Sequence, residues 1–124
     1  MTKERDRENR FTCRGKASLF LSDRKGQNAM TKRIHGQLFN ISCHGASLAL
    51  AQIITDRRHL AYAPMESDQF KLAIVLYLDD EELILPVETK WFNKKISGEE
   101  LPFRIGMEFG RPLSPEQLTK ICTP

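Results

Sequence analysis

Two short groupings in this chain are built from residues that bind anions and purine edges. Arg10 and Arg14 form an Arg-x-x-x-Arg pair, and Asn40-Ile41-Ser42-Cys43-His44-Gly45 follows as Asn-x-Ser-x-x-Gly. A guanidinium fork makes two parallel hydrogen bonds to O6 and N7 of guanine and grips phosphate oxygens with the same geometry. Its flat face also stacks on a purine ring. On a regular strand two residues four apart point the same way at about 13 Å, close to the span of two stacked nucleotides. Asn40 offers a donor and an acceptor, and Ser42 a hydroxyl. Gly45 allows a close backbone approach or a left-handed turn, while Ile41 should point the other way and anchor the strand. A ligand with both phosphates and guanine edges suits this combination, with Arg7 and His44 near enough to add contacts. Alone, the first grouping is a solvated charge run and the second an Asx-type turn. Their order and separation carry the reading.

The elements that must position these residues are mostly strands. Lys16 to Ser22 alternates with Ala17, Leu19 and Leu21 on one face. A turn region from Asp23 to Thr31 leads to a second strand, Arg33 to Ile41. Residues 42 to 45 interrupt the pattern, and Ala46, Leu48 and Leu50 resume it. Residues 51 to 69 follow no clean period and contain Pro64, so a connecting loop with a short helical turn is expected. Phe70 to Leu78 and Leu83 to Trp91 alternate on either side of a charged turn, Asp79 to Glu82, and form the clearest hairpin. Phe103 to Phe109 is the last strand. Ser114, Pro115 and Gln117 mark a helix start with a capping box, and Leu113 and Leu118 are spaced for a hydrophobic staple. Six antiparallel strands and one terminal helix imply a small all-β barrel. The boundaries are a flexible basic arm over 1–14 and the barrel with its helix over 15–124.

Charge locates the arm's role. Residues 1 to 16 carry six basic and three acidic side chains, which accounts for the whole net charge of +3. That concentration fits a small anionic ligand better than a nucleic-acid polymer, which calls for a broad basic surface. A base-stacking barrel also needs outward aromatics, whereas alternation puts Trp91, Phe103 and Phe109 on core-type faces. The three cysteines (Cys13, Cys43 and Cys122) show no disulfide framework and read as reduced thiols. Cys43-His44 lacks metal-ligand spacing, so no metal and no cofactor are expected. No Ser-His-Asp order, paired acidic site or phosphate loop indicates an enzyme. No apolar run reaches the roughly 18 residues of a membrane span, and the charged start has no signal-peptide core. A cytoplasmic protein is expected.

The two groupings, in this order, resemble the PilZ domain family of bacterial proteins. Val87 to Trp91 followed by Arg104-Ile-Gly-Met-Glu-Phe109 resembles its closing strands, and Leu113-Ser-Pro-Glu-Gln-Leu118 its terminal helix start. The likeness covers roughly residues 5 to 121. Asn9 precedes Arg10 where many members carry a second arginine, and Asn40 stands where Asp is commoner. The resemblance implies a six-stranded antiparallel PilZ-like β-barrel that binds the second messenger cyclic di-GMP without catalysis. Arg10, Arg14, Asn40, Ser42 and Gly45 would contact the ligand. It implies an arm that closes over the ligand and a protein partner that reads the change, in a monomer or a ligand-linked dimer. The alternative is a PilZ-like adaptor that works through protein contacts and binds no nucleotide.

Overall fold

The structure, a computed structural model, describes residues 11–12, 15–78, 80–94 and 101–122. Nine strands and two helices occur among them: β1 (Phe11–Thr12), β2 (Lys16–Ser22), β3 (Ile34–Ile41), β4 (Gly45–Leu50), β5 (Ile54–Thr55), β6 (Arg58–His59), α1 (Ala63–Glu66), β7 (Lys71–Leu78), β8 (Glu81–Lys94), β9 (Phe103–Phe109) and α2 (Pro115–Cys122). The sheet runs β3-β2-β7-β8-β9-β4, and β4 pairs back to β3, which closes a six-stranded antiparallel barrel. The expected barrel and terminal helix are present. β1 adds to β3 beyond the end of β2: Phe11 faces Ile41 and Thr12 faces Asn40.

Period-two alternation builds the core. Ala17, Leu19 and Leu21 from β2, Ala46, Leu48 and Leu50 from β4, and Leu72, Ile74 and Leu76 from β7 all turn inward and join one buried cluster. β7 is buried on its outer face too. There Ala73 and Val75 meet Phe20, with Arg33 lying over the Phe20 ring at 5.8 Å and reaching Glu82 through two hydrogen bonds of 2.9 and 3.1 Å.

Residues 51 to 69 hold more structure than a loop with a helical turn. β5 and β6 form a two-residue hairpin whose central residues, Asp56 (φ 49°) and Arg57 (φ 66°), are both left-handed, as a type I′ turn requires. No glycine or asparagine marks it, so no hairpin signal is visible in these residues. Asp56 Oδ2 accepts the Lys32 N–H at 2.8 Å and ties the turn to the neighbouring loop. His59 Nδ1 then accepts the N–H groups of Ala61 (3.1 Å) and Tyr62 (3.2 Å). Ile53, Leu60 and Ala61 beside these turns belong to the core cluster.

The terminal helix starts as its sequence indicates. Gln117 N–H donates to Ser114 Oγ at 3.1 Å, and Ser114 N–H donates back to Gln117 Oε1 at 3.0 Å. Leu113, Leu118 and Ile121 bury into the core, and α2 packs on β7.

Two bulges interrupt the ladders, at Phe39 between Leu38 and Asn40, and at Lys90 between Thr89 and Trp91. Each adds a residue to one strand and turns the following side chains to the other face. Inward Leu38 is followed by outward Phe39 and half-buried Asn40, and Ile41 returns to the core. On β8 the effect is a correction. Alternation placed Trp91 on the core face, but the extra residue at Lys90 sends it outward, 45% exposed, and packs Phe92 against the core instead.

Candidate functional site

Asn40 is the fixed reference of the site. Across the strands it pairs with Ser47 on β4, Ser47 with Gly106 on β9, and Gly106 with Trp91 on β8. Adjacent strands lie about 4.8 Å apart, so Asn40 to Trp91 spans about 14 Å of the barrel's outer face. On Asn40's other side is Thr12. Thr12 is the midpoint of the Arg10–Arg14 segment in sequence. Arg7, Arg10 and Arg14 themselves lie outside the described residues.

The Trp91 ring rests over Gly106. A Cβ at Gly106 would overlap indole Cε2 and Nε1 and lie 2.8 Å from Cδ1. Only a hydrogen at that position lets the ring lie flat against β9. One row along, Arg104 places its guanidinium 4.6 Å from the centroid of Phe39, which is 53% exposed. The bulges therefore present an indole, a carboxamide and a cation–π pair on one face. Indole and guanidinium planes are surfaces on which a purine can stack.

Lys90, the bulge residue of β8, bridges Glu88 (2.7 Å) and Glu108 (3.3 Å). Glu88 and Glu108 are directly paired across β8 and β9, so two like charges would face each other without the ammonium. The hydrogen bond from Lys90 holds the Glu88 carboxyl below its ordinary range, and the two carboxylates raise the Lys90 ammonium above its own.

Ser42 and Gly45 build the turn. Ser42 is 4% exposed, its Oγ accepts the His44 N–H at 3.2 Å, and its N–H donates to the Gly45 carbonyl at 2.8 Å. This is the hydroxyl-to-backbone pattern of a Ser/Thr turn. Gly45 is not needed for a left-handed conformation; among the described glycines only Gly26 has positive φ. It is needed for close packing, because a Cβ there would overlap the Met107 carbonyl oxygen of β9. The Cys43 and His44 carbonyls accept from Leu113 N–H and Phe109 N–H, each at 2.7 Å, which stitches the turn to the end of β9 and the approach to α2. His44 is exposed at the turn.

A groove of about 1170 Å³ is lined by Met65, Phe70, Pro86, Glu88 and Glu108 among others, and none of the predicted site residues among the described ones lines it. Among the described residues no cluster of three His, Cys, Asp or Glu side chains could hold a metal ion. No helix among them is long and apolar enough to cross a membrane.

A comparison with protein families matches residues 4–122 to the PilZ domain. The chain belongs to the PilZ domain family. It is a family of cyclic di-GMP-binding receptors, and the match spans both motifs of this PilZ chain. No curated protein matches it. Sequence reasoning missed Trp91, Ser47 and the Phe39–Arg104 pair of this PilZ face. The signal was present in the spacing. Leu38 and Ile41 are three apart, and Phe92 follows Trp91 directly, so neither strand keeps its alternation.

Proposed function

We propose that this PilZ protein is a non-catalytic receptor for cyclic di-GMP that binds on the outer face of β3, β4, β9 and β8. The observation that carries the reading is the pairing of Thr12 with Asn40, which puts the chain between the two arginines beside the Asn-x-Ser-x-x-Gly strand. Arg10 and Arg14 grip phosphates and guanine edges. Asn40 pairs with a base edge, and Trp91 offers the plane for a base to stack on. Ser42 and Gly45 act mainly by fixing the turn that holds Asn40 in place. Closure of residues 1–14 over the ligand changes the surface that a protein partner reads. Ordering a residue costs about 1–2 kcal/mol, and charge-assisted hydrogen bonds at about 1.5–3 kcal/mol each offset it.

Calorimetric titration of cyclic di-GMP tests the reading. Binding at micromolar affinity or tighter is expected, with Arg14→Ala and Asn40→Ala each weakening it at least tenfold. No heat of binding at about 100 μM ligand would leave the protein-contact adaptor as the surviving reading. Hydrogen exchange over residues 1–14, with and without ligand, reports closure; equal exchange in both states refutes it.

A further inference from the structure

Ser47 belongs to neither motif, yet the fold places it in the middle of the row. Its neighbours Ala46 and Leu48 lie in the core cluster, so alternation turns Ser47 outward, between Asn40 and Gly106. It is only 4% exposed, and its Oγ is a buried oxygen with no hydrogen-bond partner among the described residues. Buried hydroxyls are nearly always satisfied, and one left open destabilises the state that contains it. The outer wall does not impose this. Ser18 on β2, buried still more completely, bonds to His35 Nδ1 at 2.7 Å and to the Tyr77 hydroxyl at 2.9 Å.

We infer that Ser47 is a ligand-contacting residue whose hydroxyl bonds the edge of the purine base stacked on Trp91. The ligand supplies the partner that the free protein lacks. This inference rests on the cyclic di-GMP reading above. Asn40 and Trp91, both incompletely buried, are the side chains that shift to admit the base edge. A hydroxyl donates and accepts, so it can meet either the O6 and N7 acceptors or an N–H of guanine. The free protein carries an unsatisfied group, and binding relieves it. Removing the hydroxyl therefore moves two quantities in opposite senses: the free protein becomes as stable or more stable, and the complex becomes weaker.

Thermal melts without ligand and calorimetry with cyclic di-GMP, run on wild type, Ser47→Ala and Asn40→Ala, test this. Ser47→Ala is expected to melt at or above the wild-type temperature and to bind about tenfold more weakly. An unchanged dissociation constant overturns the contact. A lowered melting temperature for ligand-free Ser47→Ala overturns it too, because the hydroxyl would then have a partner inside the protein. If wild type binds, Asn40→Ala does not and Ser47→Ala is indistinguishable from wild type, the Ser47 inference falls alone. If wild type does not bind, it falls together with the functional reading.

Discussion

Gly106→Ala should dislodge the indole that caps the row while leaving the strand ladder intact. The added methyl would overlap Cε2 and Nε1 and sit 2.8 Å from Cδ1 of Trp91. Carbon atoms pack at about 3.5–4.0 Å, so the ring must retreat by about 1 Å or swing into solvent. Trp91 is 45% exposed, so a little over half of its surface is at stake. With roughly 250 Å² for a whole tryptophan and about 25 cal/mol per Å², the burial contributes at most about 3 kcal/mol. A partial retreat should cost about 1–2 kcal/mol, or about 3–8 °C in melting temperature for a domain of this size. Trp91 is the only tryptophan, so its emission reports the displacement directly and should shift to the red. Losing a stacking plane costs about 1–3 kcal/mol per base, which is at least a fivefold weaker affinity for cyclic di-GMP. Unchanged emission together with an unchanged melting temperature would refute the packing of Trp91 on Gly106. A shifted emission with unchanged affinity would remove Trp91 from the binding site.

Gly45→Ala should be costlier, because its methyl meets the Met107 carbonyl oxygen and backbone cannot step aside as a side chain can. Opening the β4–β9 seam there threatens the Ser42–Gly45 and His44–Phe109 hydrogen bonds, so a loss of about 2–4 kcal/mol in urea denaturation is expected, and a change under 0.5 kcal/mol would count against it. Arg57→Gly relieves a left-handed φ of 66° at the hairpin tip and should stabilise by up to about 1 kcal/mol, read from the urea midpoint. His59 gives a pH dependence. Burial, opposed by the Glu66 carboxylate, pushes its pKa below the ordinary value, so the unfolded chain takes up the proton first. The stability it contributes is complete above about pH 6.5 and is lost as pH falls towards the depressed folded value, by at most about 1.4 kcal/mol per pH unit. His59→Gln should flatten that part of the stability–pH curve, and an identical slope in the variant would exclude His59 as the source.

How much of this was legible varied with the local physics. β2 emerged with the bounds its alternation indicates, and the capping box at Ser114 and Gln117 formed both of its hydrogen bonds. These features depend on near neighbours in sequence. The Asp56–Arg57 turn was not legible, because it uses left-handed residues other than glycine or asparagine and is fixed from outside by the Lys32 N–H. The candidate site was legible only in part. Asn40 and the turn from Ser42 to Gly45 stood out by residue type, but Ser47, Gly106 and Trp91 join that row through register across three strand pairs, and a single sequence does not display register. Gly45 stood out as a residue that allows close approach, but the strand it admits, paired at Glu108, is distant in sequence and gives no local signal.

The bulges at Phe39 and Lys90 have a consequence for how the site can be lost. In a strand the face of every later residue depends on whether an odd or an even number of residues precedes it. The one-residue excess at Phe39 and at Lys90 sets that parity for Asn40 and Trp91. Substituting Phe39 or Lys90 leaves the count intact. Deleting either one would remove the bulge and restore plain alternation, with Asn40 and Trp91 still outward, whereas a one-residue insertion or deletion elsewhere in β3 or β8 would turn the residues beyond it to the opposite face while every motif letter stays in place. For this barrel, length within a strand is as informative as identity: a one-residue gap at Phe39 or Lys90 keeps the same face, and one elsewhere in β3 or β8 would describe a different surface.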